Sequence, residues 1–356
     1  MTQLHPRSDT SARASGRADR LHGQLRDLLR DLLRRRSVQT ALAAWAATNA
    51  ALIALGGDHL PFHASRLADP PTTGAVLQTN AMFVEVFALM GVVHLLTRRR
   101  AAPDVAARAP DRSRAAREAA LVLGYGVLAM TGGYVVGHAF GWHAFGFHLD
   151  GMIIRTGQAV TPREALGWAA YNLLAYAVAP LLFFRRRYTA DQLSLRSSDR
   201  RGDLAVIAVV LVLESTVQLL LDPAVLHLGP RQLLLGAPLT FAISFAGTVL
   251  PTMVFVYCIL TPRYLRLTGS FAATVILGGL TYATLHVLDG WTSLASPTDA
   301  LLSALYVLLF YSAPGMFKTF VTLRTGNAWV HVWAYHAIAP HTLIDTPMFV
   351  RIFAIR

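Results

Sequence analysis

Six ionisable residues fall inside stretches that are otherwise apolar: Glu85, His94, Glu214, His286, His331 and His336. Carboxylates and imidazoles are the side chains that move protons and hold metal ions. Hydrocarbon penalises them, so each is a functional candidate by default, and Glu214, His286 and His336 lead. A hydrogen bond to a neighbouring helix, with a packing role only, is the alternative for any one of them.

The histidines are unevenly spread. Nine of the 13 fall at or beyond what the topology below makes the outer ends of spans, among them His138, His143, His148, His286, His336 and His341. Two stretches share a five-residue spacing, HAFGWHAFGFH from His138 to His148 and HVWAYHAIAPH from His331 to His341. Helical metal sites normally use residues three or four apart, which share a face. On an α-helix a step of five turns the second ring by about 140° relative to the first, a weak ligand pattern. Glycines in the first stretch and Pro340 in the second could bend the backbone enough to restore convergence. Interfacial anchoring of His and Trp at the headgroups is the alternative for the first stretch.

The surrounding chain sets where these groups must sit. Of 356 residues, 54% are hydrophobic and 15% charged, against about 25% charged in a typical soluble domain. Charges cluster between apolar runs long enough to cross a bilayer, roughly 20 residues each. Such runs must be helices, because lipid offers no partner for backbone N–H and C=O. The expected architecture is all-α, a polytopic transmembrane bundle of nine spans: 38–56, 79–97, 118–139, 164–184, 203–221, 238–260, 269–288, 299–323 and 326–340. The last is interrupted by Pro340 and could be re-entrant. Residues 1–37 read as a basic tail whose 19–36 segment, with Leu21, Leu25, Leu28, Leu29, Leu32 and Leu33 at helical spacing, predicts an amphipathic helix on the headgroup layer. Residues 38–200 then form a four-span region, 201–341 a membrane core and 342–356 an external tail. No cleavable signal peptide is evident ahead of the first span.

The net charge of +12 is placed for membrane orientation, with nine Arg before residue 37 and the blocks Arg98–Arg100 and Arg185–Arg187 ending spans. The segments between spans two and three and between four and five hold seven and six Lys or Arg, against at most two in any alternate segment. The positive-inside rule therefore puts the N-terminus in the cytoplasm and the C-terminus outside. The expected partner is the lipid bilayer, in the manner of a bacterial inner-membrane protein. No aromatic-interleaved basic patch points to nucleic acid. The single cysteine, Cys258, excludes disulfides and cysteine-based zinc sites within one chain.

Residues 200–341 resemble the CPBP family of membrane proteins, which includes the CAAX prenyl endopeptidase. Tyr282-Ala-Thr-Leu-His286 is similar to that family's FxxxH motif, and His336, in GNAWVHVWAYHAIAP, is similar to its last motif. The first motif, EExxxR, departs: Pro251, Thr252 and Val256 stand at its polar positions, and Pro340 replaces the last polar residue. The resemblance implies an intramembrane site on His286 and His336, and the lost glutamates imply a pseudoprotease or scaffold, engaging a membrane-protein or peptide partner. Two rivals remain: an intramembrane peptidase with Glu214 as relocated base, and a metal-binding membrane enzyme or transporter in which His286 and His336 hold a divalent ion such as zinc.

Overall fold

The computed structural model describes residues 30–61, 71–149, 160–290 and 292–356. Most of the expected amphipathic helix lies outside these residues. Among them the chain is helical, without a strand. Seven helices are long and apolar enough to cross a membrane: α1 (Arg36–Leu55), α2 (Thr72–Thr97), α3 (Arg112–Ala139), α4 (Pro162–Arg185), α5 (Arg200–Leu221), α6 (Pro230–Thr268) and α8 (Pro297–Thr325). Between the last two lies α7 (Phe271–Thr284), apolar but short. The stretch expected as a ninth span, 326–340, and the tail after it are a succession of short pieces: α9 (Ala328–His331), wide turns at Val332–His336 and Ala339–Ile344, and α10 (Thr346–Ile352). Their two Pro residues, Pro340 and Pro347, lack the N–H a continuous α-helix needs.

The chain divides into a first unit, Met1–Ala46, and a second, Ala47–Arg356. The second unit unites the expected four-span region, from residue 47 on, with the expected core. Helix starts are capped as their sequences dictate. Asp111, Asp199, Ser270 and Ser296 accept from backbone N–H groups at 3.0–3.3 Å. Gly269 and Gly326, at φ +61° and +67°, end α6 and α8 in the left-handed conformation that glycine adopts without strain.

Helix α6 is the axis of the second unit; every residue from Met253 to Leu260 is buried. Its prolines widen it. Pro251 has no N–H to offer the carbonyl of Gly247, and the helix opens into a π turn over Phe245–Val249. The freed Gly247 carbonyl accepts instead from Asn172 Nδ2 of α4 at 2.8 Å. Helices α7 and α8 touch through small residues: a Cβ on Gly315 would lie 2.7 Å from that of Tyr282 and 2.9 Å from Gly279 Cα. Close backbone approach of this kind replaces the hydrophobic drive that lipid cannot supply.

One end of the bundle is fastened by a buried ion pair. Arg263 of α6 donates from Nε and Nη2 to Glu118 Oε2 of α3 at 2.9 and 2.6 Å. Tyr188, just past α4, donates to the same carboxylate at 2.8 Å, and Arg114 closes the fork at 3.0 Å. The guanidinium lies over the rings of Phe184 and Tyr188 at 4.6 and 4.9 Å. Three elements distant in sequence are thus joined through one carboxylate.

Candidate metal centre

The histidine at the end of the first five-residue series reaches the interior on non-helical chain. Helix α3 stops after Ala139, Gly141 turns the backbone at φ +69°, and residues 144–149 run buried between helices. Buried non-helical backbone requires protein partners for its polar groups. They are present. The Gly146 carbonyl accepts from Trp168 Nε1 at 2.8 Å and from Asn172 Nδ2 at 2.7 Å. Asp289 Oδ1 accepts from the N–H of Phe147 at 2.8 Å and of His148 at 3.4 Å. A side chain on Gly146 would collide with Asp289, so glycine is what lets this carboxylate reach the backbone.

This path delivers His148 to the ring of His286, at 4.5 Å between centroids. The second five-residue series converges on the same place. Around Val332–His336 and Ala339–Ile344 the backbone bonds run from residue i to i+5, as in Ala337 N–H to Val332 O at 2.8 Å and Leu343 N–H to Ile338 O at 2.9 Å. This wider winding, with the turn at 337–338, brings His336 and His341 together, with centroids 4.9 Å apart, and His341 meets His148 at 5.0 Å. The spacing that an α-helix scatters is gathered here.

The four imidazoles are 0–1% exposed, and their nitrogens are sorted. His286 Nδ1 donates to the Tyr282 carbonyl at 2.7 Å. His341 Nδ1 meets Asp345 Oδ2 at 2.8 Å, and His148 Nδ1 faces Asp289 Oδ2 at 3.7 Å. His336 Nδ1 lies 3.4 Å from Thr252 Oγ1. That hydroxyl also lies 2.8 Å from the Thr248 carbonyl, an arrangement in which it can donate there and accept from Nδ1. Each Nδ1 thus faces an oxygen. On the other side of the rings, the Nε2 atoms of His286 and His336 are buried with no hydrogen-bond partner among the described residues. Those of His148 and His341 face each other at 3.3 Å.

Metal-binding histidines have this arrangement, one nitrogen tied to a carboxylate or carbonyl and the other turned to the ion. Two nitrogens bound at roughly 2.0–2.1 Å to a tetrahedral zinc stand about 3.3 Å apart, the separation seen between His148 and His341. His148, His286 and Asp289 bring one ligand atom each to within 4.8 Å of one another. The carboxylates of Asp289 and Asp345 supply two formal negative charges against a divalent cation. Burial, with His286, His341 and Lys318 nearby, holds His148, in the connection between two spans, well below its ordinary pKa; it is neutral, as a ligand must be. Tyr311 closes one side, its ring stacked on His286 at 3.9 Å.

The other sequence candidates are placed differently. Glu214 is buried on α5, where Gln218 Nε2 donates to its Oε1 at 2.8 Å. Lys318 lies 3.8 Å from the centroid of Tyr282. His331 is buried one step beyond His336, with its Nδ1 3.2 Å from Thr322 Oγ1 and its ring 6.4 Å from that of His336. Glu85 keeps Oε1 buried without a hydrogen-bond partner among the described residues, and His94 is exposed on α2. Sequence reasoning left out Asp289 and Asp345 altogether, since both sit at helix ends where carboxylates are ordinary. Their spacing of three and four after His286 and His341 is the signal that was available.

A cavity of about 450 Å³ lies alongside, lined by Tyr134, His138, Trp142, His143, Asp289 and Thr292, among others. Asp289 is thus common to the cavity and the buried cluster. No family model, curated protein or solved structure matches this chain.

Proposed function

We propose that this protein is an intramembrane metalloenzyme of hydrolytic type. His148, His286 and Asp289, whose ligand atoms lie within 4.8 Å of one another, hold a divalent cation, zinc by ligand type, with His341 as a further donor 3.3 Å from His148, and His336 is the base beside it. One observation carries the reading: four buried imidazoles converge, each with Nδ1 facing an oxygen, the Nε2 atoms of His148 and His341 3.3 Å apart and those of His286 and His336 buried with no hydrogen-bond partner among the described residues. Imidazole ligands suit zinc among the common divalent ions. A bound divalent cation supplies Lewis acidity and brings the pKa of water down to about 7. The chain's own residues do the rest. Asp345 and the Tyr282 carbonyl fix the orientation of their histidines, while His336, its proton held on Nδ1, has the Nε2 lone pair with which to accept a proton from water. The similarity to the CPBP family supports hydrolysis as the reaction class, and Thr252, at a position where that family carries glutamate, is the residue beside His336.

In this reading the base is His336 and not Glu214, whose neighbours are Gln218 and Lys318. A second reading, a divergent CPBP-type pseudoprotease or scaffold, is favoured by Pro251 and Thr252 in place of the glutamates. The two separate on metal content. Protein purified in lipid nanodiscs is expected to contain about one zinc per chain by elemental analysis, or to take up one equivalent of Zn²⁺ after chelation. Protein that is isolated without metal and takes up none at micromolar Zn²⁺ supports the scaffold instead.

The proposed setting is a bacterial inner membrane, the N-terminus inside and the C-terminus outside, with seven crossings made by the long helices and two by α7 and the broken segment after Gly326. The arginine blocks at 98–100 and 185–187 support it. Reporters fused after Arg100 and Arg187 should read cytoplasmic and one near Ser296 external; the opposite signals at these sites would reverse the topology.

A further inference from the structure

Four hydroxyl side chains follow one another at intervals of four along α6: Thr240, Ser244, Thr248 and Thr252. All are fully buried, and on a helix this spacing puts them on one face. The ends of the series are satisfied within the helix. Thr240 Oγ1 donates to the Gly236 carbonyl at 2.7 Å, and Thr252 Oγ1 lies 2.8 Å from that of Thr248. Thr79, Thr274, Thr319 and Thr322 bond back to the fourth preceding carbonyl in the same way on other helices. Ser244 and Thr248 do not. Their hydroxyl oxygens are buried with no hydrogen-bond partner among the described residues. Ser244 stands at the entrance to the π turn over Phe245–Val249 and Thr248 within it, where the wider winding shifts the carbonyls such hydroxyls use.

We propose that Ser244 and Thr248 bind a pair of ordered water molecules, which link them to Thr252 and through it hydrate the ring of His336. The role at His336 rests on its reading as the base; the water site does not. Leaving a buried hydroxyl unpaired is costly, and bound water is the common remedy. Four residues of helix rise about 6 Å, close to two hydrogen bonds of about 2.8 Å end to end. One water therefore reaches from Ser244 to Thr248, and another from Thr248 to Thr252. The series carries no formal charge, which suits water and not a cation. The C-terminal segment encloses it at both ends: Gly236, one turn before Thr240, packs against Thr346 and Val350, and Thr252 Oγ1 lies 3.4 Å from His336 Nδ1. A proton taken up at Nε2 makes this buried ring a cation. One hydroxyl shared with the Thr248 carbonyl offers little against that charge, whereas a line of waters and hydroxyls reorients and polarises along its length. Ser244 and Thr248 act through Thr252 and so are positioning residues.

X-ray radiolysis of the full-length protein in nanodiscs reads bound water directly, because hydroxyl radicals formed from it oxidise the side chains beside it. His336 is the reporter, exposed His138 the control, and Phe349, fully buried in an apolar cluster, the dry standard. In the parent, His336 should oxidise well above Phe349. In the Ser244→Ala, Thr248→Val double variant it should fall to the level of Phe349 with His138 unchanged, and Thr248→Ser, which keeps the hydroxyl, should match the parent. His336 no more oxidised than Phe349 in the parent, or equally oxidised in parent and double variant, overturns the water site. These readings hold with or without zinc or turnover, so loss of the metalloenzyme reading and loss of the waters are told apart. In peptide hydrolysis the double variant should lose about tenfold in kcat, a part of what general-base catalysis supplies, with KM and zinc content unchanged and Thr248→Ser at the parent's rate. An unchanged kcat overturns the role at His336.

Discussion

Replacing His286 by alanine is expected to yield a folded, membrane-inserted protein that retains no zinc through desalting. His336→Gln should retain the metal and lose turnover. The first change removes a ring whose Nδ1 is fixed on the Tyr282 carbonyl and whose Nε2 is buried with no hydrogen-bond partner among the described residues. The second removes the acceptor for a proton from water, and general-base catalysis commonly supplies about 10²–10⁴-fold in rate. Asp345→Asn lies between these cases: it keeps a group beside His341 but weakens the orientation of its ring, and should lower zinc affinity about 10–100-fold. Elemental analysis and a zinc-competition titration read the metal, and hydrolysis of a fluorogenic peptide library reads the rate. Full zinc content in His286→Ala would exclude it as a ligand. Unchanged hydrolysis in His336→Gln would exclude it as the base, whatever the metal does.

Arg263→Ala should be among the most destabilising single changes in the second unit. It removes the buried partner of the Glu118 carboxylate and leaves it with Tyr188 and the largely exposed Arg114. Breaking a buried pair from one side typically costs about 3–5 kcal/mol, because the remaining charge keeps its desolvation penalty. Removing both charges with Arg263→Met and Glu118→Gln should recover most of that loss. Thermal unfolding in detergent, followed for the two single variants and the pair, reads the effect. Equal losses in Arg263→Ala and the double variant would mean that packing against Phe184 and Tyr188, and not the stranded charge, is what Arg263 contributes.

The apolar runs and arginine blocks are sufficient to read a helical membrane protein from the sequence, because the bilayer imposes both helix formation and minimum length. Seven of the expected spans coincide with long apolar helices, whereas the stretch after Gly326 does not continue as one. Hydropathy reports how apolar a window is. It does not report how a proline redistributes backbone hydrogen bonds, and that redistribution gave α6 its π turn and allowed Asn172 to take the Gly247 carbonyl.

His286 and His336 were legible as site residues because ionisable groups inside apolar runs are conspicuous. His148 and His341 were visible only as members of a five-residue spacing that an α-helix scatters around its circumference. Two features of the folded chain gather them. Wide turns with i to i+5 bonds put His336 and His341 on one side, and a buried non-helical segment, held by Trp168, Asn172 and Asp289, carries His148 inward. Residue types and their burial in lipid follow from composition, which is local and additive. The joining of a residue near position 148 to others near 286 and 341 depends on how helices distant in sequence pack, and only the tertiary structure decides that.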